Sequence, residues 1–179
     1  MVKPRLLSKD EPIVQAFRAS MRGCASTVTA VSTAEGTHRF CMVATAMMSV
    51  SIDPPSVVVA INKTASIHDP LVRRGFFCVN VIGSEQEHLA RELSIRAGED
   101  RLEVGGWENF LSDNPALTGL PYLTNVQSYL MCRTEHRVEF GTHSLFIGTV
   151  EDAIINNASS PLVYCDGTYG RFGRDNLNR

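Results

Sequence analysis

The spacing of apolar residues along this chain shifts repeatedly, and each shift marks an element. Between Pro12 and Arg22, Ile13, Phe17 and Met21 share one helical face, which predicts a helix with Asp10 as N-cap and Gly23 as its stop. The run STVTAVST from Ser26 to Thr33 is rich in β-branched residues. With the Glu35-Gly36 turn signal and a return from His38 to Ala44, it predicts a hairpin. Ser56 to Ile61 is a continuous apolar run, which predicts a strand covered on both faces, and Phe76 to Ile82 is another buried strand. Asp69 to Arg74 predicts a short helix closed by Gly75. Ser84 to Leu93 opens with SEQE, a capping-box pattern, and predicts a further helix. Gly98 to Gly119, charged and bearing Gly, Pro and Trp107, predicts a long irregular excursion. Val126 to Phe140 and Ser144 to Ile155 predict two long strands meeting at Gly141, and Leu162 to Cys165 a last short one.

About six or seven strands that do not alternate regularly with two or three helices favour an antiparallel barrel over a parallel doubly wound sheet. Neither GxGxxG nor GxxxxGK[ST] occurs. The 179 residues contain no linker or repeat, so a single domain over 1–179 is expected, with its core at about 12–172. Phe40 to Ile61 is apolar enough to suggest a membrane span, but Asp53-Pro54-Pro55 cuts it, and two buried strands joined by a turn explain it better. Near the N-terminus only Leu6 and Leu7 offer an apolar centre, too little for a secretion signal, so a cytoplasmic location is expected.

Seventeen Lys and Arg against nineteen Asp and Glu leave a net charge of −2, which argues against a nucleic-acid partner. The five cysteines, Cys24, Cys41, Cys78, Cys132 and Cys165, are odd in number and none forms CxxC. That pattern predicts reduced, buried packing thiols, with no disulfide framework or zinc site.

Candidate chemistry is sparse. The five histidines form no metal-binding spacing, and no GxSxG elbow or Cys-His pair suggests a nucleophile. His38 and His88 read as solvated. His143 follows Gly141-Thr142 at a strand-to-strand corner, where a kink can aim a side chain into a cleft; a plain turn histidine would look the same. In VATAMMSVS, the small and hydroxyl residues Ala44, Thr45, Ala46, Ser49 and Ser51 stand where a core strand would carry bulk, leaving amides and hydroxyls for a ligand. The segment Asn62-Lys63-Thr64-Ala65-Ser66 brings an amide, a cation and hydroxyls just ahead of a helix, a setting that favours an anion or simply caps the helix. Together they suggest a flat polar ligand with a phosphate tail across one end of the barrel.

These segments, in order, resemble the short-chain flavin reductase family, the reductase components of two-component flavin-dependent monooxygenases such as 4-hydroxyphenylacetate and phenol hydroxylases. The likeness runs from about Phe17 to Phe172 through FRASM, TVTAVST, ATAMMSVSIDPP, NKTAS, FCVNVI, GTHSLFIGTV and PLVYCDGTYGRF. It implies an FMN-binding split β-barrel, mainly β with a few flanking helices, that forms a homodimer and binds FMN or FAD near the dimer interface. It also implies that Ala44–Ser51 borders the ring and ribityl chain, that Asn62, Lys63, Thr64 and Ser66 hold the phosphate, and that Tyr169 lies beside flavin or donor. The family's GDH motif, associated with the nicotinamide donor, falls on Gly141-Thr142-His143, with Thr142 replacing the acidic residue.

The implied activity is NAD(P)H-dependent reduction of FMN or FAD, with reduced flavin passed to a partner monooxygenase. Ring stacking carries the chemistry, no residue need act as acid or base, and His143 orients the donor. Arg22, Arg171 and Arg174 are candidates for the extra phosphate of NADPH. Two other readings are a reductase that holds its flavin tightly and acts on ferric iron or a corrinoid, and a flavin-binding module without turnover.

Overall fold

The computed structural model describes residues 8–156 and 160–173, so Leu6, Leu7 and Arg174 lie outside the described residues. Helix α1 spans Pro12–Arg22, but its N-cap is Glu11 rather than Asp10, no side chain caps it, and none of its residues is buried. Strands β1 (Ser26–Thr27), β2 (Thr29–Glu35) and β3 (His38–Ala44) follow, and β2 pairs with β3 around Gly36, whose φ of 60° is left-handed. The expectation of two buried strands from Phe40 to Ile61 is corrected. The chain breaks at Thr45–Ala46, and a separate, largely exposed strand β4 (Met47–Ile52) precedes β5 (Pro55–Asn62). Strand β5 is fully buried on one face only: Val57, Val59 and Ile61 point inward, while Val58 and Ala60 are half-buried.

Helix α2 (His68–Arg74) ends at Gly75, with a φ of 71°, and leads into β6 (Phe76–Val81). The expected capping box at Ser84 is displaced. Gln86 Oε1 accepts from the Gly83 N–H at 3.2 Å, so a residue without a side chain occupies the cap, and the segment begins as a 3₁₀ turn before becoming α3 (Glu87–Ile95). The expected irregular excursion holds a 3₁₀ segment at Gly98–Glu103 and a strand, β7 (Trp107–Asn109), paired with β8 (Pro121–Leu123). Strands β9 (Ser128–Phe140) and β10 (His143–Ile155) form the long hairpin, followed by β11 (Leu162–Cys165) and β12 (Thr168–Arg171). The described residues thus form twelve strands, not six or seven, because several are too short to carry a visible period.

Seven of them make one antiparallel sheet in the order β3-β2-β6-β9-β10-β5-β4. Its two edge strands, β3 and β4, are separated in sequence by Thr45 and Ala46 alone. Such a short link between opposite edges forces the sheet to curl until they meet at one end. No ladder joins β3 to β4 among the described residues, so the curl does not close as a hydrogen-bonded barrel. The fold is mainly β, as expected, with the split at this joint. Two apolar clusters fill it, one containing Leu93, Leu120, Leu123 and Met131, the other Ile61, Ile67, Leu71, Phe77 and Phe146. Each fully buried side chain of this size contributes roughly 1.5–3 kcal/mol. No described helix is long and apolar enough to cross a membrane.

Candidate functional site

The joint of the split sheet is held open by its own hydrogen bonds. Thr29 Oγ1 donates to the carbonyl of Ala44 at 2.7 Å, where the β2–β3 register ends, and Ala60 N–H donates to Ala46 O at 3.0 Å. Thr45, between them, is exposed. Two adjoining cavities share Thr45, Tyr164 and Gly167 as a common wall. One, of about 840 Å³, runs along α1 past Phe17, Arg22, Cys24 and Ala46. The other, of about 640 Å³, is the cleft that also takes in Ala44, Ser66, Arg91, Ser94, Arg101 and Tyr169. Both volumes lie in the range of cofactor and small-molecule sites.

Tyr169 is fixed in the cleft from three sides. Its ring meets that of Tyr164, its register partner, edge-on at 5.1 Å; the Arg91 guanidinium lies 4.9 Å from its centroid; and its hydroxyl is 3.4 Å from Ser94 Oγ. Arg91 is held in turn by Glu87 at 2.6 Å. Aromatic faces, hydroxyls and guanidinium groups in one cleft form a donor set that fits a flat aromatic ring bearing a phosphate.

The residues singled out in the sequence divide into three groups. Ala44, Thr45, Ser66 and Tyr169 line the cleft, with Ala46 on the adjoining cavity. Ser49 and Ser51 line neither. Both stand exposed on β4, and Ser51 Oγ bonds Asp53 as donor to its carbonyl at 2.9 Å and acceptor from its N–H at 3.1 Å, serving the turn.

The third group meets at the next turn. Asn62 Oδ1 accepts from both the N–H and the hydroxyl of Thr64 at 2.9 Å, closing a local turn. His143 is the register partner of Asn62, and Lys63 N–H donates to Thr142 O at 2.9 Å, so the NKTAS and GTH segments are one structural unit. His143 is exposed, its Nδ1 is 2.9 Å from Thr142 Oγ1, and it lines neither cavity. Lys63 Nζ lies 2.9 Å from Glu139 Oε2, and that contact holds the Glu139 carboxyl below the usual carboxylate range.

Other residues fall as the sequence suggested or are corrected here. His38 and His88 are exposed, His38 beside Glu99 at 2.8 Å. Cys41, Cys78 and Cys132 are buried, whereas Cys24 is exposed and Cys165 half-buried, so not all the thiols are packing residues. Arg22 is paired with Asp166 at 3.1 Å and Arg171 lies 3.9 Å from Glu85. Arg91, Ser94 and Arg101 of the cleft were not visible as site residues in the sequence, because no motif links them and only the fold brings them to Ser66; Tyr164 lies in the PLVYCDGTYGRF segment, where Tyr169 alone was singled out.

The chain as a whole is similar to known proteins. Residues 21–173 match the family model described as the flavin reductase like domain. The chain is 35% identical over 162 residues to the reductase component of an FADH(2)-dependent resorcinol hydroxylase from Rhizobium sp. (strain MTP-10005), covering 89% of this chain and 87% of that one. It is 35% identical over 155 residues to an NADH:riboflavin 5'-phosphate oxidoreductase from Streptomyces pristinaespiralis, covering 84% and 83%. Among solved structures, an NADH:FAD oxidoreductase of Streptomyces globisporus in complex with NAD and FAD fragments superposes with a TM-score of 0.81 at 25% identity, covering 97% of this chain and 99% of that one.

Proposed function

The chain belongs to the flavin reductase-like family, and from that premise we propose that it is an NADH-dependent flavin reductase serving a two-component monooxygenase. The observation that carries the reading is the cleft at the sheet joint, where Thr45, Ser66 and Tyr169 converge. Flavin and a nicotinamide donor, when bound, would supply the hydride exchange between them, so no protein acid or base is required. The protein's part is to align the two rings and exclude water. Tyr169, braced by Tyr164 and Arg91, offers a rigid aromatic wall; the Ala44–Ala46 backbone leaves room for close approach; Ser66 hydrogen-bonds a polar tail.

NADH as donor is supported by the names of relatives and by charge. Arg22 lies 3.1 Å from Asp166 and Arg171 3.9 Å from Glu85, so at both a carboxylate would compete with the extra phosphate of NADPH. A homodimer is supported by apolar surface that a lone chain leaves wet: Ile13, Phe17 and Met21 on α1, Met48, Val50 and Ile52 on β4, and Val138 and Phe140 on the β9–β10 hairpin. In such a dimer, the turn bearing His143, which lines no cavity of its own chain, serves the donor. Unpaired thiols fit a reducing compartment such as the cytoplasm.

The test is to mix the protein with FMN or FAD and either nicotinamide donor and to follow loss of the reduced-nicotinamide absorbance. Oxidation of NADH that requires added flavin is expected. No oxidation with any combination overturns the reading.

A further inference from the structure

Five cations lie on or beside the two cavities, and three of them are neutralised. Lys63 is paired with Glu139, Arg22 with Asp166 and Arg91 with Glu87. Arg18, exposed on α1, and Arg101 have no such partner among the described residues, and of these two only Arg101 is held in place. It is half-buried in the wall of the cleft, and no carboxylate among the described residues lies within ion-pair range of it. Its guanidinium is held by backbone carbonyls: Nε donates to Arg96 O at 2.8 Å and Nη1 to Cys41 O at 3.1 Å. Nη2 has no protein partner among the described residues. Two carbonyls orient this group without cancelling its charge.

A partly desolvated cation is costly unless an anion compensates it. A guanidinium pinned along one side and open on the other suits the oxygens of a phosphoryl group, which it can contact through parallel N–H donors. Because it is already oriented, little side-chain entropy is lost when the anion arrives. Ser66 on the same cleft adds a hydroxyl. Lys63, the cation that its place in the NKTAS segment recommended, is by contrast already neutralised.

We propose that Arg101 is the anion-binding residue of the cleft and receives a phosphoryl group of a bound nucleotide. The inference rests on the flavin reductase reading for the identity of that nucleotide. The phosphoryl group can come from the 5'-phosphate side of the flavin or from the pyrophosphate of the donor, and both present the same oxygens.

The experiment measures binding of FMN and of riboflavin, which lacks the phosphate, by flavin fluorescence for wild type, Arg101→Met and Arg101→Lys, together with the KM for NADH. A loss of tenfold or more in FMN affinity for Arg101→Met, with riboflavin unchanged and Arg101→Lys intermediate, assigns the flavin phosphate. A tenfold rise in the NADH KM with both flavin affinities unchanged assigns the donor's pyrophosphate. Equal weakening of FMN and riboflavin, or no change in any of the three, overturns the proposal. Should Arg101→Met fail to fold, Arg101→Lys carries the same comparison. A wild type that neither binds flavin nor oxidises NADH sinks the flavin reductase reading instead. In that case thermal unfolding with inorganic pyrophosphate decides for Arg101: a rise in midpoint for wild type that is smaller in Arg101→Lys and absent in Arg101→Met supports it, and equal rises in all three overturn it.

Discussion

His68 Nε2 lies 2.9 Å from the Oγ of Ser144, and both side chains are buried, His68 at 7% exposure and Ser144 at 0%. The bond ties the first residue of α2 to the strand residue after His143. It therefore locks the Asn62–Ser66 turn to the GTH turn from the inside. The other ring nitrogen, Nδ1, is 2.8 Å from Asp69 Oδ1, and the ring stands edge-on to Phe146 at 5.7 Å. Removing either partner leaves a buried polar atom unpaired. Ser144→Ala and His68→Ala are each expected to lower stability by about 1–3 kcal/mol, and the double mutant by less than the sum, as measured by urea denaturation. Full additivity would show that the two side chains do not act as a pair.

The same cluster has a pH dependence. The hydrogen bond from His68 holds the Asp69 carboxyl below its ordinary value. A carboxylate whose folded pKa is depressed contributes stability above its unfolded pKa and loses it as pH falls through the folded one. Wild type should therefore lose stability on acidification below the usual Asp range more steeply than Asp69→Asn, in parallel urea titrations. Identical acid profiles would remove Asp69 from the account.

His143 keeps Nδ1 against Thr142 on an exposed turn, and its other ring nitrogen has no protein partner among the described residues. His143→Ala is expected to raise the KM for NADH several-fold while flavin affinity stays at the wild-type level. Steady-state kinetics alongside a flavin titration separates the two effects. Unchanged donor kinetics would exclude His143 from the donor site.

Much of this arrangement was readable before the fold was known, for reasons particular to each element. The β2–β3 hairpin was legible because β-branched residues flank a Gly that must take a left-handed φ. Strand β12 was invisible because four residues, Thr168–Arg171, carry no period. The face of β5 was misjudged because Val58 and Ala60 are apolar yet only half-buried, and composition does not record that. At the site, Thr45, Ser66 and Tyr169 stood out as hydroxyl and aromatic residues in recognisable segments. Arg101 did not, since its importance comes from the lack of a neighbouring carboxylate, a property of three-dimensional placement. Lys63 reads in the sequence as a lone cation for the mirror-image reason: Glu139 reaches it only once the β9–β10 hairpin is formed.

Gly148 marks where the long hairpin passes over the core. A Cβ there would meet two atoms of the buried Phe77 ring at 2.9 Å and Arg133 O at 3.1 Å, next to a register shift between Ile147 and Gly148. Neither the ring nor the backbone can retreat. Gly148→Ala is expected to cost about 1–3 kcal/mol, seen as a lower thermal midpoint. A midpoint equal to wild type would mean that the ring has space to shift.

The thiols should separate by burial. Burial pushes Cys41 up to about 12, despite the opposing Arg101 charge, and raises Cys78 and Cys132 as well. At pH near 8 in the native protein, a thiol reagent is expected to modify Cys24 promptly and to spare these three, with all five reacting in denaturant. Peptide mass mapping reads this directly, and prompt labelling of Cys78 or Cys132 would contradict the packing described above.

Helix α1 supplies the sharpest test of the dimer. Its regular spacing puts Ile13, Phe17 and Met21 on one face, yet they are 63%, 62% and 50% exposed, so the described residues leave that face largely uncovered. Phe17 also borders the cavity beside the cleft, whereas Ile13 lines neither cavity, which makes Ile13 the cleaner probe. Light scattering should give wild type twice the chain mass and Ile13→Glu the mass of one chain, because a carboxylate in an apolar interface is strongly disfavoured. The monomeric variant should retain its fold by circular dichroism but lose most of its NADH oxidation, since the turn bearing His143 would no longer serve a donor. Wild type that is monomeric and fully active would rule out a shared site.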